Sequence, residues 1–303
     1  MSTPTAPAAA ITNSAGHDGT LGSVPDTLAQ ALILSRYQLR DYLRSRRFVL
    51  MMAIVAAIGA ILSFVLAYYH TSAAVMGLTA SSDAFYGSVW GGGVTVVIVF
   101  AGIIFGGDAI AGEFQNKTGY FLMGLPIRRD SVYVGKFLAA LAASLVAVVF
   151  YLVILLANGA VYLGANAFPL ALFESFAIAL LYLLALLGAV FLFSSMFKNS
   201  LYAVLVVAVL FLFGFTIIED LITALVKIEP WFIITYAEQV ITYPFLSSLP
   251  AHMSTMTTVG PRGRMMTVTT YAPTYFEGLV IMAGYFVLTA LAGLYFFGRE
   301  EFT

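Results

Sequence analysis

The sequence predicts an all-α integral membrane protein with six spans. Three observations carry that prediction: 61% of the 303 residues are hydrophobic, only 10% are charged, and apolar runs of bilayer-crossing length recur along the chain. A mean hydropathy of +0.96 lies far outside the range of soluble domains. These runs consume most of the length, so a single membrane domain over residues 48–303 is expected, with no soluble enzyme beside it. The absence of cysteine excludes disulfides, thiolate metal sites and cysteine nucleophiles.

Residues 1–25, "MSTPTAPAAAITNSAGHDGTLGSVP", are rich in Ser, Thr, Ala, Gly and Pro and lack the apolar stretch of a cleaved signal, so they read as a disordered tail. A helix start follows at Thr27, with Gln30 three residues on in capping-box spacing. Arg36, Arg40, Arg44 and Arg47 recur at helical spacing, and Leu28, Leu32, Leu39 and Leu43 repeat on another face. Residues 26–47 therefore predict a basic amphipathic helix lying in a headgroup layer; the plainer alternative is an extension of the first span with ordinary positive-inside charge.

Six spans are expected near Phe48 to Tyr69, Val89 to Gly107, Val134 to Ala157, Leu170 to Met196, Leu201 to Ile218 and Tyr275 to Phe297. The apolar segment from Ile228 to Leu249 carries Pro230, Glu238, Gln239 and Pro244, which hydrocarbon would penalise. It predicts short interfacial or re-entrant helices between the fifth and sixth spans, with Trp231, Tyr236 and Tyr243 as interfacial aromatics. Phe85, Tyr86 and Trp90 read as an aromatic belt on the outer side.

Six spans put eleven of the fourteen Lys and Arg residues on one side, leaving only Lys227, Arg262 and Arg264 on the other. That asymmetry predicts that both termini are cytoplasmic. The loop "AGEFQNKTGYFLMGLPIRRDSVYVGKF" at 111–137 is then the largest cytosolic connection between spans. Phe121, Leu122, Met123 and Leu125 are too apolar for a freely solvated loop, so they pack under the bundle or form a docking surface for a cytosolic partner.

In this loop Gly112 and Glu113 are followed by Thr118, then Pro126 thirteen residues after Glu113, then Arg129, with Gly135 and Lys136 closing the pattern. The pattern resembles the membrane permeases of type-2 ABC transporters, with Lys117 in place of the usual Gly and no charge from Phe114 to Asn116. The six-span layout, the amphipathic helix before it and the long segment between spans five and six fit the same resemblance, over most of residues 26–300.

The resemblance implies that 111–137 couples to a separate cytosolic ABC ATPase, with Glu113, Thr118, Phe121, Pro126, Arg128, Arg129 and Lys136 as the coupling residues. It implies a second permease copy or a paralogue as partner, a pathway lined by the second and fifth spans, and export across the cell membrane. No G-x-x-x-x-G-K-[ST] occurs in the chain, so ATP and Mg²⁺ are expected on the partner and no cofactor on this chain. The alternative is a stand-alone secondary transporter or a membrane scaffold without an ATPase.

Among further candidates, Gly102 and Gly106 form a small-xxx-small pair suited to a dimer interface, with Gly214 on the fifth span; glycine is also simply common in membrane helices. Asp108, Glu174, Glu219, Asp220 and Glu277 fall near predicted span boundaries, where capping or structural roles outweigh a substrate or proton role. A re-entrant outer helix would bring Glu219, Asp220 and Glu238 together as an outer gate. His252 with Met253, Met256, Met265 and Met266 offers soft ligands for Cu(I), though Met is ordinary in apolar contexts. The "FSSMF" stretch at 193–197 has no partner His for hydrolysis, H-E-x-x-H is missing, and the basic helix beside a span favours lipid headgroups over nucleic acid.

Overall fold

In the computed structural model, residues 26–116, 127–164, 168–259 and 265–299 are described. Among the described residues, six helices are long and apolar enough to cross a membrane, as the hydropathy pattern requires. The first helix, α1 (Thr27–Arg44), starts on Asp26, whose Oδ1 accepts the Thr27 amide at 2.7 Å. Asp26, and not Thr27, is thus the N-cap. The side-chain oxygen of Gln30 accepts the backbone amide of Arg128, so this end of α1 is held by the third span.

Ser45 is extended and divides α1 from the first span, α2 (Arg46–Tyr68), and its hydroxyl caps the Phe48 amide at 3.3 Å. Arg47 therefore belongs to the span and not to the amphipathic helix. A short α3 (Ala73–Leu78) leads to the second span, α4 (Ser82–Gly106), which Ser81 caps through Ala84 at 3.1 Å. A turn then gives α5 (Ala111–Gln115). The third and fourth spans are α6 (Arg129–Leu163) and α7 (Leu170–Met196).

The fifth span, α8 (Ser200–Val226), contains two π turns, Leu210–Gly214 and Ile222–Val226, and stops at Lys227 in the left-handed region at φ 54°. After it come α9 (Ile234–Glu238), a 3₁₀ turn Gln239–Phe245, and an antiparallel hairpin of β1 (Met253–Val259) and β2 (Met265–Tyr271). The sixth span is α10 (Tyr275–Arg299), opened by a true capping box: Glu277 Oε2 accepts the Thr274 amide at 3.1 Å and Thr274 Oγ1 accepts the Glu277 amide at 3.3 Å.

Three expectations change. The second, third and fifth helices run well past the predicted apolar windows, because polar residues at their ends are capped or packed and the helix has no reason to stop at the hydrocarbon edge. The segment between spans five and six is helical only in part, since the hairpin occupies its second half. Phe85, Tyr86 and Trp90 are fully buried and form no belt. Trp90 Nε1 donates to Ser175 Oγ at 2.9 Å, and that hydroxyl donates to the Ile241 carbonyl at 2.5 Å, joining α4, α7 and the 3₁₀ turn.

The bundle is layered. Spans α4 and α7 are the most buried, α6 follows, and α2, α8 and α10 turn most of their surface outward. Close approach at the centre depends on small residues: a Cβ on Gly102 would meet Leu186 Cδ2 at 2.3 Å, and one on Gly106 would meet Val190 at 2.8 Å. The small-xxx-small pair is thus consumed inside the chain, against α7, which corrects its assignment to a dimer interface. Gly214 lies in the first π turn of α8, half-buried.

Candidate functional site

Of the residues expected to couple to a partner, the described ones, Glu113, Arg128, Arg129 and Lys136, lie on the face that carries α1. Asp108, in the turn before α5, pairs with Arg47 of α2 at 2.5 Å. Glu113 of α5 pairs with Lys136 of α6 at 2.5 Å, and the same ammonium donates to the Ala109 carbonyl at 2.8 Å. Lys136 is only 6% exposed, so a buried cation has its charge matched and two hydrogen-bond partners, as burial demands.

Ser194 of α7 accepts both the Ile110 and the Ala111 amides at 3.1 Å, taking up two of the amides left open at the start of α5. The "FSSMF" serine is therefore structural, and Ser195 is turned to the Leu192 carbonyl. Gln115 Oε1 accepts the Ser200 amide at 2.9 Å, which ties α5 to the start of α8. Phe114 meets Phe297 of α10 edge-on, with ring centroids 6.5 Å apart. The short segment 108–116 thus contacts each of the other five spans directly.

The far end of the loop is anchored as firmly. Arg128 donates to Thr27 Oγ1 at 3.2 Å, and Ser131 donates to the Thr27 carbonyl at 3.1 Å. Arg129 donates to the Gly298 carbonyl at 3.0 Å, placing a cation at the C-terminal end of α10, where the helix dipole favours it. Gly135 lets α1 lie against α6: a Cβ there would come 2.9 Å from the Ala31 carbonyl oxygen. Tyr42 of α1 donates to the Phe105 carbonyl at 3.0 Å and so holds the end of α4. Thr118, Phe121 and Pro126 lie outside the described residues, as do Lys117, Leu122, Met123, Leu125 and the 1–25 tail.

On the opposite face, Glu219 is inside α8 and not at its end. It accepts Thr235 Oγ1 at 2.6 Å and borders, with Asp220, Thr223, Gln239 and Tyr271, a cavity of about 550 Å³. Glu238 turns away from that cavity and accepts Tyr182 at 2.7 Å. Burial pushes the Glu238 carboxyl up to about 7; the Tyr182 hydrogen bond opposes the rise and the charge of Glu219 adds to it. Of the three outer gate candidates, Glu219 and Asp220 share the cavity and Glu238 stands beside it.

Sequence reasoning missed the caps and the hairpin. The Ser194 role has no local signal, because its partners are 83 and 84 residues away. The hairpin did have one: "MSTMTTV" and "MMTVTTY" are rich in Thr and Val and flank the sequence Gly-Pro-Arg-Gly, residue types that signal a break between strands.

A search of curated proteins finds no match to the chain. A family model described as "ABC-2 family transporter protein" matches residues 32–302, which takes in α5, all six spans and the hairpin. With six membrane-spanning helices around that segment, the chain belongs to the ABC-2 transporter family, as a multi-pass membrane permease.

Proposed function

We propose that the chain is the membrane subunit of an ATP-driven exporter in the cell membrane, paired with a second permease copy or a paralogue and driven by a separate cytosolic ABC ATPase that holds ATP and Mg²⁺. The observation that carries this reading is the reach of 108–116: one short segment touches all five other spans, so a push on it is transmitted to the whole bundle. The α1 face is the cytoplasmic one in this reading, on the eleven-to-three asymmetry of Lys and Arg, and both termini lie there.

The second copy is assigned to α8. Leu201, Leu205, Val209, Phe213, Ile217, Leu221 and Leu225 are all exposed at four-residue spacing. A regular helix would wind such a stripe around its axis, and the two π turns, wider than α turns, hold it closer to one face. Export is the direction implied by the resemblance.

The test uses the permease and its ATPase reconstituted together in liposomes. Glu113→Gln keeps the shape of the buried pair but takes away the charge that balances Lys136, and Arg129→Ala releases the end of α10. Both are expected to lower permease-stimulated ATP hydrolysis at least about tenfold while the chain still folds, a loss of roughly 1.4 kcal/mol in coupling. Unchanged hydrolysis in both variants would remove the coupling assignment.

A further inference from the structure

Three side chains from separate elements converge where the fifth span, the hairpin and the sixth span meet. Glu229 follows the left-handed turn at Lys227, His252 immediately precedes β1, and Glu277 lies in the first turn of α10. One ligand atom from each lies within 4.8 Å of the other two. The junction is otherwise tied by ordinary bonds: Ala272 donates its amide to the His252 carbonyl at 3.0 Å, and Tyr271 donates to the Lys227 carbonyl at 2.6 Å.

Each of the three is oriented by a partner outside the cluster. His252 Nδ1 lies 3.0 Å from the Ala272 carbonyl oxygen, which can only accept, so Nδ1 carries the proton. That leaves Nε2 facing Glu229 Oε2 at 3.2 Å. Glu229 Oε1 accepts Tyr236 at 2.6 Å, which turns Oε2 to the imidazole. Glu277 commits Oε2 to the Thr274 cap, and its carboxyl is hydrogen-bonded to that of Glu229. A histidine fixed through a carbonyl and carboxylates fixed through hydrogen bonds are the supports by which metal ligands are held in place.

We propose that Glu229, His252 and Glu277 form a binding site for one divalent transition-metal cation of the zinc class, which ties the outer ends of the fifth and sixth spans to the base of the hairpin. One imidazole nitrogen and two carboxylate oxygens suit a borderline cation with bonds of about 2.0–2.2 Å. Calcium and magnesium prefer all-oxygen shells, and the set contains no sulfur to select Cu(I). Two carboxylates balance the charge of the ion, and any proton on Nε2 leaves to solvent as the metal binds. A fourth position stays open for water, and His252, 48% exposed, gives the ion a route in. The site is separate from the coupling segment and does not rest on ATP-driven transport.

The test uses the purified full-length chain in detergent, equilibrated with ZnCl₂ and desalted. Wild type is expected to retain one zinc per chain by elemental analysis and to melt at a higher temperature with zinc present. His252→Ala and Glu277→Gln are each expected to weaken zinc binding roughly 100-fold, and Tyr236→Phe, which loosens Glu229 without removing a ligand, about 10-fold. Gel filtration checks folding; Glu277→Gln retains an oxygen for the Thr274 cap and carries the test if His252→Ala does not fold. No zinc retained by folded wild type, or equal affinity in wild type and Glu277→Gln, overturns the proposal.

Discussion

Glu238 shows how far burial can work against a single charge. Its carboxyl is pushed up to about 7, from an ordinary value of 4.5, chiefly by burial beneath α7. The folded state therefore holds a proton that the unfolded chain releases. Below about 4.5 both states are protonated and there is no penalty; as the pH rises from there through about 7, stability falls. Glu238→Gln removes the titration and keeps an acceptor for Tyr182. It is expected to stabilise the protein by about 1–3 kcal/mol at pH 8 and hardly at all at pH 5. Melting temperatures in detergent at the two values check this, and an equal gain at both would assign the effect to something other than charge. Lys136 and Glu113 were legible as candidates from the loop pattern, but their pairing was not, since they are 23 residues apart and only the return of α6 beneath α5 joins them.

At the scale of elements, helix packing at the centre depends on glycine. Gly102 faces Leu186 so closely that any side chain there must displace α7 or force Leu186 out of its rotamer. Gly102→Val is expected to destabilise by about 1–3 kcal/mol, as an overpacked core does, and Leu186→Ala in the same chain should recover part of that loss. Thermal melts of the single and double variants give the coupling; strictly additive losses would place the strain elsewhere. The number and order of the spans were readable because a run of about twenty apolar residues has few other uses. Their ends were not, because helices such as α4 continue through Ser82 to Ser88 on packing of Phe85 and Tyr86 that no hydropathy window registers. The aromatic residues misled for the same reason: Trp90 beside an apolar run fits a belt and a core equally well until its partner Ser175, 85 residues away, is known. The short helix at Ile234–Glu238 falls inside the segment 228–249 that the sequence marks as helical, and the strands lie beyond it, where Thr and Val recur without a long apolar run.

At the scale of the molecule, α4, α6 and α7 form an inner layer, and α2, α8 and α10 present apolar surface outward. That division leaves the bundle able to meet lipid around most of its perimeter, with the α8 stripe as the surface proposed above for a second copy. The orientation is open to direct measurement because the chain has no native cysteine. A single cysteine at Asn116 is expected to react with an impermeant thiol reagent only after the membrane is opened, and one at Ser248, beyond the 3₁₀ turn, from outside intact cells. Labelling in the reverse pattern would invert the topology and detach α5 from any cytosolic partner.

The central claim is that the segment around α5 receives force from an ATPase, and the measurement that addresses it most directly is affinity purification of the chain from its native membranes in mild detergent, with mass spectrometry of what accompanies it. A stoichiometric ATPase carrying a Walker motif is expected, retained by wild type and depleted when Glu113 and Arg129 are replaced together. Recovery of the permease without any such ATPase, even after crosslinking, would contradict it.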